Sequence, residues 1–345
     1  MKTATPARTA KSGQTAVRSR VQRDGAAPLQ IRSVLVPIDF SKPSLQAVEC
    51  AIPLAKRFGA QLHLAHVFAP DYPLASMAAM PLIVPELEVG KRVRRHLRNV
   101  AKKYSLRLGH ENIHARRGRP FEEICRLARE QSIDLIITPT RGLTGFKNLA
   151  LGSTTERVVR YSPCPVLVLR PDRTGKAGRD EKMTKSPLSF RKILVPIDFS
   201  ECSMKGVAYA KALAGKFRSK LVLLHSVAIQ SYVSNEEYAR FDFPLLMQQA
   251  EKAARTQMGG LVANGDWDGV KEVETSLQIG HAGQQICSRA IDHRADLIVT
   301  TTHGTTGLKH LLIGSTAEYV VRHASCPVLV VPSHNRPVDN TRKKS

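Results

Sequence analysis

Two short stretches of this chain combine glycine and hydroxyl residues in a way that suits a phosphate-bearing ligand. Gly142 is followed ten residues later by Gly152-Ser153-Thr154, and Gly304 at the same interval by Gly314-Ser315-Thr316. Glycines let a backbone approach a ligand closely or adopt positive φ, and the hydroxyls of Ser153, Thr154, Ser315 and Thr316 can donate to phosphate oxygens. If each Gly-Ser-Thr opens a helix, its first-turn N–H groups and the positive end of its dipole attract an anion as well. Asp39 and Asp198 stand in a repeated Val-Pro-Ile-Asp-Phe-Ser. A carboxylate at such a strand end can accept from ribose hydroxyls or hold a magnesium ion. Plainer readings stand beside these. Ser153 with Glu156, and Ser315 with Glu318, have the spacing of a capping box, and Asp-Phe-Ser can simply cap a following helix. Neither GxxxxGK[ST] nor a GxGxxG after the first strand is present.

The elements that must position these residues occur twice. Asp39 and Asp198 are 159 residues apart, and Gly142/Gly304 and Gly152/Gly314 are both 162 apart. Copies that keep step in this way indicate two homologous domains. The first reads as strand Ser33–Ile38, helix Ser44–Phe58, strand Gln61–Phe68, loop Ala69–Pro85, a basic helix Glu86–Leu108, strand Asn112–Arg117, helix Pro120–Gln131, strand Asp134–Pro139, loop Gly142–Leu151, helix Ser153–Tyr161 and strand Pro165–Leu169. The second repeats the series from Lys192 to Val331. Near-continuous apolar strands alternating with helices predict α/β; two tandem three-layer α/β/α domains, each with a five-stranded parallel sheet. The expected division is a basic tail (1–32), a first domain (33–170), a linker (171–190), a second domain (191–332) and a second basic tail (333–345).

Hydrophobic residues make up 42% of the 345 and charged residues 23%, the balance of an ordinary soluble protein. No apolar run approaches the roughly 20 residues that cross a bilayer. The basic start lacks the apolar stretch of a secretory signal, so disordered tails and a cytoplasmic location are expected. The six cysteines form no CxxC or Cys/His cluster, which suits buried thiols rather than a metal site. Net charge is +23, unevenly spread: residues 33–170 hold 21 Lys/Arg against 11 Asp/Glu, whereas 191–332 hold 15 against 13. Between Lys91 and Arg107 lie eight cations and no acid. Such a run is ordinarily a solvated helix face; the alternatives are a nucleic acid or other polyanion, or an acidic protein. Aromatics are nearly absent there, so a nucleic-acid contact would be to the backbone and salt-sensitive.

Val-Pro-Ile-Asp-Phe-Ser, the Asp134-Leu-Ile-Ile and Asp296-Leu-Ile-Val strands, the glycine–(nine residues)–Gly-Ser-Thr loop and the closing Cys-Pro-Val-Leu-Val resemble the universal stress protein family, twice over. The resemblance implies an adenine nucleotide alpha hydrolase-like, Rossmann-like fold. It also implies antiparallel pairing of the last strands, Val166–Leu169 and Val328–Val331, making one chain a pseudo-dimer and leaving room for a homodimer. Some members of the family bind ATP and others do not. In binders, glycines and hydroxyls surround the phosphates, the strand-one Asp lies near the ribose, and the backbone after strand two, here Val67 and Val227, meets the adenine. The first glycine of the family loop is replaced by Pro139 and Thr301, which puts the ribose half of each site in question. Arg141 and His303 precede the second glycine, where a side chain could reach a phosphate.

The residues offer no nucleophile–base–acid set. The leading expectation is a non-catalytic ATP-binding stress-response protein, with or without Mg²⁺, the second domain being the more conventional site. The alternatives are a nucleotide-free scaffold or a weak ATPase.

Overall fold

The computed structural model describes residues 30–68, 86–140, 151–170, 190–227, 243–304 and 313–333. Gly142, Arg141, the loop expected at 69–85, all of the loop expected at 142–151 except Leu151, most of the linker and nearly all of both tails lie outside these residues. The first half runs β1 (Ser33–Pro37), α1 (Lys42–Phe58), β2 (Gln61–Phe68), α2 (Glu86–Lys103), a short 3₁₀ turn (His110–Asn112), β3 (Ile113–Arg117), α3 (Pro120–Glu130), β4 (Leu135–Pro139), α4 (Ser153–Tyr161) and β5 (Val166–Leu169). The second runs β6 (Lys192–Pro196), α5 (Glu201–Phe217), β7 (Lys220–Val227), α6 (Phe243–Asn264), β8 (Glu272–Ile279), α7 (Ala282–Asp292), β9 (Leu297–Thr301), α8 (Ser315–His323) and β10 (Val328–Val331).

Within each half all strand pairs are parallel. Each half contributes five parallel strands, as expected, and the two sets continue into one ten-stranded sheet in the order β3-β2-β1-β4-β5-β10-β9-β6-β7-β8. They join where β5 and β10 pair antiparallel, with Leu167 opposite Leu329 and Val168 opposite Val328. Strand edges carry unpaired N–H and C=O groups, and pairing the two last strands satisfies both at once.

Alternate strand residues face opposite layers. Val34, Val36, Leu167 and Leu329 pack with Ala47, Leu97, Ala210 and Met258 beneath α1, α2, α5 and α6. Leu35, Val168 and Val328 pack with Leu127, Val158, Ile286 and Val320 beneath α3, α4, α7 and α8. Small residues on α1 (Ala47, Ala51) let it lie close to the sheet. Helix α1 starts at Ser41, whose hydroxyl accepts from Ser44 N–H, and stops at Gly59 in the left-handed region (φ 66°). Helix α2 ends at Lys103 rather than Leu108, because Ser105 takes φ 53° and turns the chain away.

At the starts of β4 and β9 an aspartate holds the neighbouring first strand. Asp134 accepts from the N–H groups of Arg32 (2.8 Å) and Ser33 (3.0 Å); Asp296 does the same for Arg191 (2.9 Å) and Lys192 (3.0 Å). Across the seam, Phe58 and Phe217 meet at 6.1 Å, with Arg57 over the Phe217 ring and Lys216 over the Phe58 ring. A small, almost wholly apolar cavity beside Leu135, Leu167, Leu213, Leu297 and Leu329 lies near strand starts, away from the glycine–serine segments.

One polar cluster breaks the symmetry. His63 and His114 stack at 5.4 Å, and Asn112 Nδ2 donates to His63 Nε2 (3.5 Å), so His63 Nδ1–H donates to His114 Nε2 (3.2 Å). The second half has Val222 and Ser276 at these places. Burial, then the neighbouring His63 and Arg116, pushes His114 down to about 4. Burial also lowers His63, against the pull of Glu111.

Two outcomes follow. Leu167→Ala and Leu329→Ala should each cost about 2–5 kcal/mol in urea unfolding. As facing residues they should also depart from additivity by at least ~0.5 kcal/mol in the double variant; simple additivity would place them out of contact. Both imidazoles are neutral when folded and protonate more readily when unfolded. Stability is therefore lost as pH falls from about 6.5 toward about 4. The variant His63→Val/His114→Ser should flatten that loss in unfolding curves measured across the same window.

Candidate functional site

Because every strand within a half runs the same way, Asp39, Phe68, Gly118 and Thr140 all leave the sheet at one edge, as do Asp198, Val227, Gly280 and Thr302 in the other half. The antiparallel seam points these two edges in opposite directions. Each edge is built by the same local chemistry. Asp39 Oδ1 accepts from Ser41 N–H (3.0 Å) and Oγ (2.5 Å); Asp198 Oδ1 accepts from Ser200 N–H (3.0 Å) and Oγ (2.6 Å). The serine, not the aspartate, caps the helix: Ser41 Oγ accepts from Ser44 N–H (3.3 Å) and Ser200 Oγ from Ser203 N–H (3.1 Å). The aspartate thus orients the cap with one oxygen.

Between Asp and Ser, Phe40 (φ 63°) and Phe199 (φ 61°) are left-handed. Bulky residues adopt that region only where surrounding contacts impose it. Here the contact is histidine: Phe40 packs on His66 (4.7 Å) and Phe199 on His225 (4.9 Å). The ring nitrogen Nδ1 of each histidine donates to the strand-one carbonyl, His66 to Ile38 O (2.7 Å) and His225 to Ile197 O (2.8 Å). The sequence reading missed both histidines, although His66 and His225 share the 159-residue offset of Asp39 and Asp198.

The glycine–serine helices begin without a side-chain cap. Gly152 and Gly314 are the N-cap residues of α4 and α8, which makes Ser153 and Ser315 the first helical residues. The capping box does not form. Glu156 instead reaches Arg322 (2.9 Å) across the seam, and Glu318 reaches the same arginine (3.0 Å). Ser153, Thr154 and Ser315 are exposed and Thr316 is half-buried. Each loop is closed at its base, where Gly152 N–H donates to Thr140 O (2.8 Å) and Gly314 N–H to Thr302 O (2.7 Å). In the second half Asp198 and Gly304 are in contact: a methyl on Gly304 would fall 2.5 Å from Asp198 Oδ2. Asp198, Gly304, Gly314 and Ser315 therefore share one edge. In the first half the same edge holds Asp39, Gly152, Ser153 and Thr154.

Val67 and Val227, expected as equivalents, are one rung apart. Val227 pairs with Ile279 and accepts from Gly280 N–H (2.9 Å). The matching residue is Phe68, which pairs with Arg117 and accepts from Gly118 N–H (3.0 Å). Val67 corresponds to Ser226, since this region keeps the 159-residue offset. Pro139 and Thr301 are both buried. Thr301 Oγ1 donates to His303 O (2.9 Å), and its methyl lies 3.2 Å from where a Gly206 side chain would begin. In the first half Ala47 replaces Gly206. His303 Nδ1 lies 2.9 Å from both Thr302 Oγ1 and Ser333 Oγ, which ties it to the end of β10.

Among the described residues, no group of three or more His, Cys, Asp or Glu could hold a metal, and no helix is long and apolar enough to cross a membrane. All six cysteines are free thiols, and burial pushes Cys125 up to about 11 and Cys326 to about 12.

The family model described as "Universal stress protein family" matches residues 30–170 and 189–332. A universal stress protein of Methanocaldococcus jannaschii is 32% identical over 142 residues, 40% of this chain and 82% of that protein. The universal stress protein YxiE of Bacillus subtilis is 34% identical over 145 residues, 40% of this chain and 97% of its own. The crystal structure of a universal stress protein from Archaeoglobus fulgidus shares the fold at 20% identity and TM-score 0.56, covering 88% of this chain and all (100%) of that one.

Removing the cap hydroxyl in Ser41→Ala or Ser200→Ala should lower stability by about 1 kcal/mol, taking the hydroxyl donor from Asp39 or Asp198 while its backbone N–H donor stays. Thermal unfolding checks this; an unchanged midpoint would show that the helix start needs no serine.

Proposed function

The chain belongs to the universal stress protein family, and from that premise we propose that it binds an adenine nucleotide such as ATP, with or without Mg²⁺, as a non-catalytic stress-response protein. The observation that carries this reading is the start of α8. Gly314 leaves the helix without a side-chain cap, on the same edge as the Asp198–Gly304 contact. First-turn amides and the Ser315 and Thr316 hydroxyls suit the phosphates. Asp198 suits the ribose hydroxyls, and the Val227 backbone, beside it in the sheet, suits the base.

The second half is proposed as the more conventional site. The Thr301 side chain packs toward Gly206 and donates to His303 O, and Thr301 keeps the N–H that Pro139 lacks. In the first half Asp39, Phe68 in place of Val67, Gly142, Gly152, Ser153 and Thr154 take the corresponding parts. Their ligand is weaker or differently shaped.

Titrating the purified protein with labelled ATP, with and without Mg²⁺, tests this. Ser315→Ala removes a hydrogen bond to a charged group and should weaken binding about tenfold or more. Gly304→Ala, which displaces the Asp198 carboxylate, should weaken it further, while Ser153→Ala should have the smaller effect. No binding at millimolar ATP would sink the proposal.

A further inference from the structure

Helix α2 carries a charge pattern that the fold does not use. Its buried stripe is Gly90, Val93, Leu97 and Ala101, while Lys91, Arg92, Arg95, Arg98, Lys102 and Lys103 are exposed. Among the described residues, one carboxylate serves these cations: Glu88 pairs with Lys91 at 2.8 Å and also lies near Arg92 and Arg95. Arg98 contacts His110 (3.0 Å) and Lys103 lies over the Tyr104 ring (5.2 Å). Like charges four apart, as in Lys91/Arg95 and Arg98/Lys102, destabilise a helix. The first turn, Glu86–Val89, holds no cation, so the dipole favours only Lys102 and Lys103 at the other end and gives the cations between nothing. The repeat supplies an internal control. Helix α6 holds the same place on β7 and β8 with two cations, Lys252 and Arg255, of which Arg255 faces Glu251 at 3.8 Å. The layer therefore does not need a basic outer face, and most of the charge on α2 is left without a counter-charge among the described residues.

We propose that the outer face of α2 docks on the phosphate backbone of double-stranded nucleic acid, independently of base sequence. The helix spans about 27 Å at 1.5 Å per residue, and a duplex presents about one negative charge per 1.7 Å of its axis. A membrane surface is the poorer fit, because an interfacial helix inserts its apolar side chains, whereas those of α2 are spent in the core; only Leu87, at its first turn, is a large exposed apolar residue. An acidic protein partner is also poorer, since protein interfaces centre on aromatic and apolar anchors and none stands among these cations. Tyr104, the aromatic beside Lys103, packs on the core and donates to Glu49, so the face contacts phosphates and leaves the bases unread.

The test is fluorescence anisotropy of the full chain with a labelled duplex of arbitrary sequence, about 20 base pairs long, over a salt series. Replacing Arg92, Arg95, Arg98 and Lys102 with Gln should weaken binding at least tenfold. It should also reduce the slope of log affinity against log salt by about 3–4, near 0.9 per lost phosphate contact. The control Lys252→Gln/Arg255→Gln should change neither quantity, and circular dichroism shows whether each variant keeps its helices. Equal affinity and slope in the α2 variant and the parent would overturn the proposal by assigning the binding to the basic tails. So would tighter, α2-dependent binding to vesicles containing anionic lipid.

Discussion

Parallel pairing is the constraint on which the rest of this molecule depends. A parallel sheet cannot be closed by hairpins, so each strand must return through a helix on one face. Every strand-to-helix turn in a half then emerges along one edge, and that edge collects the chain's polar chemistry: Asp198 with its serine, Gly304, the start of α8 and the His225–Phe199 pair. The opposite edge collects anchoring. There Asp134 and Asp296 each receive two backbone N–H groups and hold the first strand against the fourth. The same residue type thus serves register at one end of the sheet and the candidate site at the other. Only its position along the strand separates the two roles.

The alternation of strand and helix was legible because the central strands are almost wholly apolar and the helices between them carry one buried stripe. The glycine–serine helices also start where their spacing places them. What the pattern could not carry was the partner of an edge strand. Apolar periodicity says that Val166–Leu169 and Val328–Val331 are buried, not what buries them. Only the family resemblance supplied the antiparallel seam that joins the two sets of strands into a single sheet.

Other departures have local causes. Ser105 adopts a left-handed backbone that no apolar pattern announces, so α2 ends early. Glu156 and Glu318 have capping-box spacing from the serines, but Gly152 and Gly314 take the N-cap, which moves each glutamate to the fourth helical position, where it pairs with Arg322. The left-handed Phe40 and Phe199 depend on histidines about 26 residues away, a contact visible only when the two copies are aligned. The two halves also drifted in compensating pairs: Thr301 lies over Gly206, whereas Pro139 goes with Ala47.

The seam has one further consequence. Where two separate chains join through their last strands, the partnership dissolves on dilution, and a weakened copy loses its mate. Here β5 and β10 belong to the same polypeptide, so each is held near the other at a concentration set by the tether rather than by the cell. Pairing survives at any expression level. Substitutions that would split a two-chain assembly are absorbed, and one half is free to change its edge residues while it still serves as the wall against which the other half folds.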